Sequence, residues 1–179
     1  MDEKLRQYLI GNNSRQAGRD IYEYYYNPYP IRFFEEDIKE IIRCFADEVE
    51  EINGIVEDFN DLYRPDIEKK NEINRLSEEY FNLIKEQSLM YFEKIRRFLK
   101  DPDNKNHLQK YLSTITELNN KIMCNRQDFD YFEKVFDAIY SYIVDKCNYE
   151  LKFDKNLIWV FLHYMYWNCD IGEKYDKDA

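Results

Sequence analysis

Leu157 to Leu162 are six consecutive apolar residues, and His163, Tyr164, Met165, Tyr166 and Trp167 follow them directly. A helix through this stretch has no polar face to offer water, so other elements must enclose it. The run from Leu157 to Trp167 is eleven residues, whereas a bilayer span needs about 20. It therefore reads as a buried core helix. Asp154 is placed to cap its first turn, and Gly172 stands where a left-handed residue would end it. Whatever else the chain does, it is expected to build a bundle around its last helix.

The rest of the sequence is suited to that task. Four Gly and four Pro in 179 residues leave little turn chemistry and favour long helices. Seventeen Tyr and twelve Phe supply core-forming rings that a disordered chain lacks. A formal net charge of −10 argues against direct binding to nucleic acid or an anionic membrane. Cys44, Cys124, Cys147 and Cys169 form no C-x-x-C pair, which suits reduced thiols in a cytoplasmic protein. Met1–Ile10 mixes charges with apolar residues and lacks a signal-peptide core, and no segment reads as transmembrane.

Three parts follow in order. Residues 1–33 form an N-terminal extended or strand segment, with oligomerisation as its expected role. Gly11-Asn12-Asn13-Ser14 and Gly18 make it turn-rich, and Asp20–Tyr26 is either a short strand or a tyrosine-rich loop over the helices. A strand here would need a partner, in this chain or in another. Residues 34–100 read as a long antiparallel helical hairpin. Its first arm places Ile38, Ile42, Phe45, Val49, Ile52, Val56, Phe59 and Tyr63 at alternating spacings of four and three, a coiled-coil heptad pattern. Its second arm runs from the Arg64-Pro65-Asp66 break to Lys100, with the apolar phase slipping at Gln87-Ser88. Residues 101–179 form a C-terminal helical bundle sharing one core with the hairpin. Leu108, Leu112, Ile115, Leu118 and Ile122 line one helix there, and Phe129, Phe132, Phe136, Ile139, Ile143 and Cys147 line the next, which is expected to start near Asp128. The fold class is all-α.

Charge is concentrated in the first arm. Between Glu35 and Asp61 eleven acidic residues stand against Lys39 and Arg43, a balance of −9 in a chain whose total is −10. This is either a docking face for a basic partner or a solvated face whose repulsion keeps the helix soluble. On the first reading Glu48, Glu51 and Asp58 are partner-binding residues. On the strand reading Ile21, Tyr22 and Tyr24 join them.

Chemistry is harder to find. His107 and His163 fall in different helices, and neither follows a Glu at the spacing of a di-iron bundle. The His and Cys residues are too scattered for a zinc site. No nucleophile-elbow, phosphate-loop or dinucleotide-binding motif is present. The tyrosines lack the basic groove that a nucleic-acid platform requires. No catalytic residue, cofactor site or metal site is assigned, and a buried His163 is expected to be a hydrogen-bonded core residue.

Several stretches nonetheless resemble a known family. Lys70-Asn71-Glu72-Ile73-Asn74-Arg75-Leu76-Ser77 with Tyr80-Phe81, then Tyr91-Phe92-Glu93-Lys94-Ile95 and Phe98-Leu99-Lys100-Asp101-Pro102, are similar to the C-terminal domains of bacterial ABC-three component (ABC-3C) systems. The likeness is most specific at His163, Tyr164, Asn168, Cys169, Asp170 and Gly172, within the closing run. It implies a component of an anti-invader defence system built around an ABC-type ATPase. Domains of this kind are thought to be non-enzymatic interaction modules linking effectors to the ATPase assembly. This chain shows no fused effector and no ATPase motif, so it is expected to act as a separate subunit.

Two readings of function result. The first is a non-catalytic, homo-oligomeric scaffold subunit that binds protein partners in such a system, away from nucleic acid and membrane. The alternative is an acidic helical decoy or inhibitor from a phage or mobile element, acting on a basic partner.

Overall fold

The computed structural model describes residues 33–46, 66–146 and 151–174, all within one unit of the chain, 31–179. Seven α-helices run through them: α1 (Glu35–Ala46), α2 (Ile67–Asn74), α3 (Glu78–Gln87), α4 (Leu89–Lys100), α5 (Lys105–Asn125), α6 (Phe132–Lys146) and α7 (Asn156–Trp167). No strand occurs among the described residues, so the fold is all-α. The Asp20–Tyr26 segment and the first arm beyond Ala46 lie outside the described residues.

Each start has a local cause. Asp66 accepts from the Glu68 N–H at 2.8 Å and caps α2. Ser77 accepts from the Tyr80 N–H at 3.3 Å and caps α3. Asp101 accepts from the Asp103 N–H at 3.0 Å and opens a short 3₁₀ turn, Pro102–Asn104, that feeds α5. Asp154 accepts from the Asn156 N–H at 2.9 Å as α7 begins. Glu35, Glu36 and Asp37 put negative charge in the first turn of α1, where the helix dipole favours it.

The last helix is enclosed on all sides, as its composition demands. Phe161 meets Phe45 of α1 and Tyr111 of α5, with ring centroids 5.8 and 5.7 Å away. Tyr164 meets Phe92 of α4 edge-on. Trp167 stacks on Phe81 of α3 at 5.5 Å, and Trp159 stacks on Tyr140 of α6 at 4.4 Å. Tyr166 packs on Phe132 of α6 and reaches Asn71 of α2 with its hydroxyl. Thus α7 touches every other described helix. At roughly 1.5–3 kcal/mol for each large apolar side chain fully buried, this one helix supplies much of the driving force for closure.

Two expectations need correction. The second arm is not one rod of some 35 residues. It is three helices, because Arg75 adopts a left-handed conformation (φ 55°) after α2 and Ser88 interrupts the ladder between α3 and α4. The interruption at Ser88 falls where the apolar phase slips. The described part of the acidic helix, α1, packs chiefly on α5, with contacts to α4 and α7. Finally, α7 ends at Trp167, five residues before Gly172. The left-handed residue that closes it is Cys169 (φ 60°).

Both helix ends are Schellman turns without the usual glycine. At α2 the Leu76 N–H reaches the Asn71 carbonyl at 2.9 Å and the Arg75 N–H reaches that of Glu72 at 3.1 Å. A side chain in this conformation costs about 1–2 kcal/mol. Arg75 is exposed, and its side chain makes no hydrogen bond or ion pair among the described residues. Arg75→Gly is therefore expected to raise stability by about 1 kcal/mol, read as a higher urea midpoint at unchanged slope.

Candidate functional site

The residues that follow α7 are held by a polar clasp. Asn119 of α5 donates to the Asp170 carbonyl at 2.7 Å and accepts from the Gly172 N–H at 3.1 Å. Asn74 of α2 donates to the Glu173 carbonyl at 2.8 Å and accepts from the Glu173 N–H at 2.9 Å. Each amide mimics a stretch of backbone ladder, so the Asp170 and Glu173 carbonyls and the Gly172 and Glu173 N–H groups are bonded without secondary structure. The Tyr111 hydroxyl donates to Asp170 Oδ2 at 2.5 Å. Arg126 adds bonds to the Asn74 and Phe129 carbonyls, at 2.8 and 2.5 Å.

Gly172 fits this clasp for a steric reason. Its φ is +91°, and a Cβ there would lie 3.0 Å from Asn74 Oδ1 and 3.2 Å from Phe132. A side chain would push on the bonds that close the clasp. Cys169 is buried at the Schellman turn, where the Asp170 N–H reaches the Met165 carbonyl at 2.8 Å. Asn168 contributes its backbone N–H to the Tyr164 carbonyl.

Lys70 of α2 lies beneath. Its ammonium donates to the Tyr166 carbonyl and stands 3.8 Å above the centroid of the Tyr166 ring. The side chain is wholly buried, and burial pulls its pKa from 10.5 down to about 7. The Tyr166 phenol is pushed upward, also chiefly by burial.

His163 occupies a separate niche one turn back. Its Nδ1 lies 2.7 Å from the Ser88 hydroxyl and its Nε2 3.0 Å from the Tyr80 hydroxyl. Phe136, Tyr80 and Trp159 surround the ring, at 5.3, 5.6 and 6.1 Å. Burial lowers its pKa to about 3, so the imidazole is neutral, donating from one nitrogen and accepting at the other. It ties the α3–α4 interruption to the central helix. His107 is remote from it, edge-on to Phe98 at 5.7 Å. The His107 pKa is lowered by burial and then by Arg43, Lys39 and Lys110.

The structure thus brings His163, Tyr164, Asn168, Cys169, Asp170 and Gly172 together at one end of the bundle. Ile21, Tyr22, Tyr24, Glu48, Glu51 and Asp58 lie outside the described residues. Among the described residues no group of three or more His, Cys, Asp or Glu is arranged to hold a metal ion. No described helix is long and apolar enough to cross a membrane. Sequence reasoning missed Lys70, Asn74 and Asn119. The signal was there, since each takes a place on an apolar stripe: Lys70 three after Ile67, Asn74 four after Lys70, and Asn119 four after Ile115.

The molecule is an all-α domain whose central helix is locked at its C-terminal end by side-chain amides. It belongs to the family described as C-terminal domain 12 of the ABC-three component (ABC-3C) systems, whose model matches residues 28–172. No curated protein and no solved structure matches the chain.

Two outcomes test this geometry. Asp170→Ala removes the acceptor of the buried Tyr111 hydroxyl and is expected to cost about 1–3 kcal/mol in a urea titration. The His163 linkage predicts acid sensitivity. Its pKa is about 3 folded and about 6.5 unfolded, so only the unfolded chain takes up this proton in between. Stability from this group is complete above about pH 6.5 and falls as pH drops toward 3. His163→Gln, which keeps one donor and one acceptor, is expected to lose less stability than the wild type between about pH 7 and pH 4.

Proposed function

We propose that this chain is a non-catalytic interaction subunit of an ABC-ATPase-linked defence system, and that it acts as an oligomeric scaffold in the cytoplasm. The observation that carries the reading is how the ionisable groups at the end of α7 are used. Lys70, His163 and Asp170 are all buried, and each bonds a neighbouring helix or the α7 backbone. A general base or nucleophile needs access to a reacting atom; these groups instead fix the architecture. Family membership supplies the setting, a multi-component system in which protein partners are the natural ligands.

The partner-binding residues proposed for this role are Glu48, Glu51 and Asp58 on the acidic segment, together with Ile21, Tyr22 and Tyr24. The carboxylates would steer a basic partner and set association rate and salt dependence. The tyrosines and Ile21 would supply apolar contact and backbone pairing.

Co-expression with the products of neighbouring genes, followed by affinity purification and sedimentation, tests the proposal. The expected result is a self-associated species that carries an ABC-type ATPase or an effector with it. Charge reversal at Glu48, Glu51 and Asp58 is expected to weaken that capture at least tenfold without lowering the thermal midpoint. A strict monomer that captures neither would overturn the scaffold reading.

A further inference from the structure

The buried lysine has a use beyond holding one carbonyl. Lys70 has a relative exposure of 0%, and among the described residues no carboxylate makes ion-pair contact with it. Its polar partners are the Tyr166 carbonyl and the face of the Tyr166 ring. An ammonium in this position has three N–H donors and, among the described residues, a single carbonyl acceptor. Such a site disfavours the charged form and accepts the neutral amine, which can keep the same bond to Tyr166.

The surrounding charges do not reverse this. On the segment after α7, Cys169 and Asp170 favour the proton and Lys174 opposes it, all by less than the burial itself. On α2, Lys69 and Glu72 pair with each other at the surface, at 3.4 Å. Glu133 of α6 and Arg126 of the turn before it act on the Tyr166 phenol with opposite signs.

The position matters as much as the burial. Lys70 and Asn74 are one turn apart on α2, and Asn74 bonds both the Lys70 carbonyl and Glu173. The ammonium is therefore under the same clasp that Asn74 closes. Hydrating it by parting α2 from the segment after α7 would break the bonds Asn74 makes to Glu173.

We propose that Lys70 is a proton-controlled latch: its neutral amine is compatible with the closed clasp, and its protonation favours an opened clasp in which the ammonium is hydrated. The opened form binds more protons than the closed form, so opening rises as pH falls. With the lysine near its ordinary value when open and near neutrality when closed, the opening equilibrium grows about tenfold from pH 8 to pH 6 and levels off below. The fold would then present a loosened C-terminal edge in mildly acid conditions and a locked one in mildly alkaline conditions. This does not depend on the scaffold reading.

Amide hydrogen exchange on the full chain tests it, followed by NMR at the Asp170, Gly172 and Glu173 N–H groups and corrected for intrinsic rates. Wild-type protection at these three amides is expected to drop about tenfold between pH 8 and pH 6. In Lys70→Met it is expected to stay level. The Lys70 Cε chemical shift of the unmodified protein is expected to titrate near neutrality. This second measurement is decisive if Lys70→Met does not fold. Equal pH dependence in wild type and variant, or a Cε shift that stays that of a charged lysine above about pH 9, overturns the latch.

Discussion

A helix with no polar face imposes one condition on everything around it. The side chains of α7 can leave water only if other helices cover each of its faces, and the described part of the chain is arranged to do that. Rings from α1, α3, α4, α5 and α6 meet it edge-on, tilted or stacked, and α2 meets it through Lys70 and Asn71. Complete enclosure has a consequence at the helix end. The terminal carbonyls and the following peptide groups are carried into the interior with the helix, where each needs a partner.

The clasp is the answer to that need. Asn74 and Asn119 satisfy the backbone of the exit segment, Tyr111 satisfies Asp170, and Lys70 satisfies Tyr166. No buried side-chain nitrogen or oxygen among the described residues lacks a hydrogen-bond partner. A tightly packed apolar rod and a fully bonded polar end are therefore two parts of one solution. The same logic explains His163, whose two nitrogens join hydroxyls from α3 and from the α3–α4 junction. The family match through residue 172 takes in this end of the bundle.

The buried polar residues are spent on closure; under the proposed scaffold reading, meeting other proteins falls to the acidic and tyrosine-rich segments. In the proposed latch, protonation of Lys70 bears on this frame because its carbonyl partner Tyr166 and its neighbour Asn74 both lie at the end that the clasp closes.

Much of this was legible in the residues. The apolar run fixed α7 as the buried hub, Asp66 and Asp154 announced helix starts, and the phase slip at Gln87-Ser88 marked a real interruption. The break around Arg75 was less so. Apolar spacing continues across Arg75 from Ile73 to Leu76, although Ser77 followed by Glu78 and Glu79 carries an N-cap signal. Which helices would flank α1 could not be read, since a stripe specifies a face and not its partner. How the clasp closes could not be read for a related reason. Lys70, Asn74 and Asn119 stand on apolar stripes, and only the fold sets them against the end of α7. The sequence by itself determined that a seamless apolar helix had to be enclosed, because water offers it no face. Only the tertiary structure decided which polar side chains would meet its buried end, because hydrogen bonds depend on distances between residues far apart in the chain.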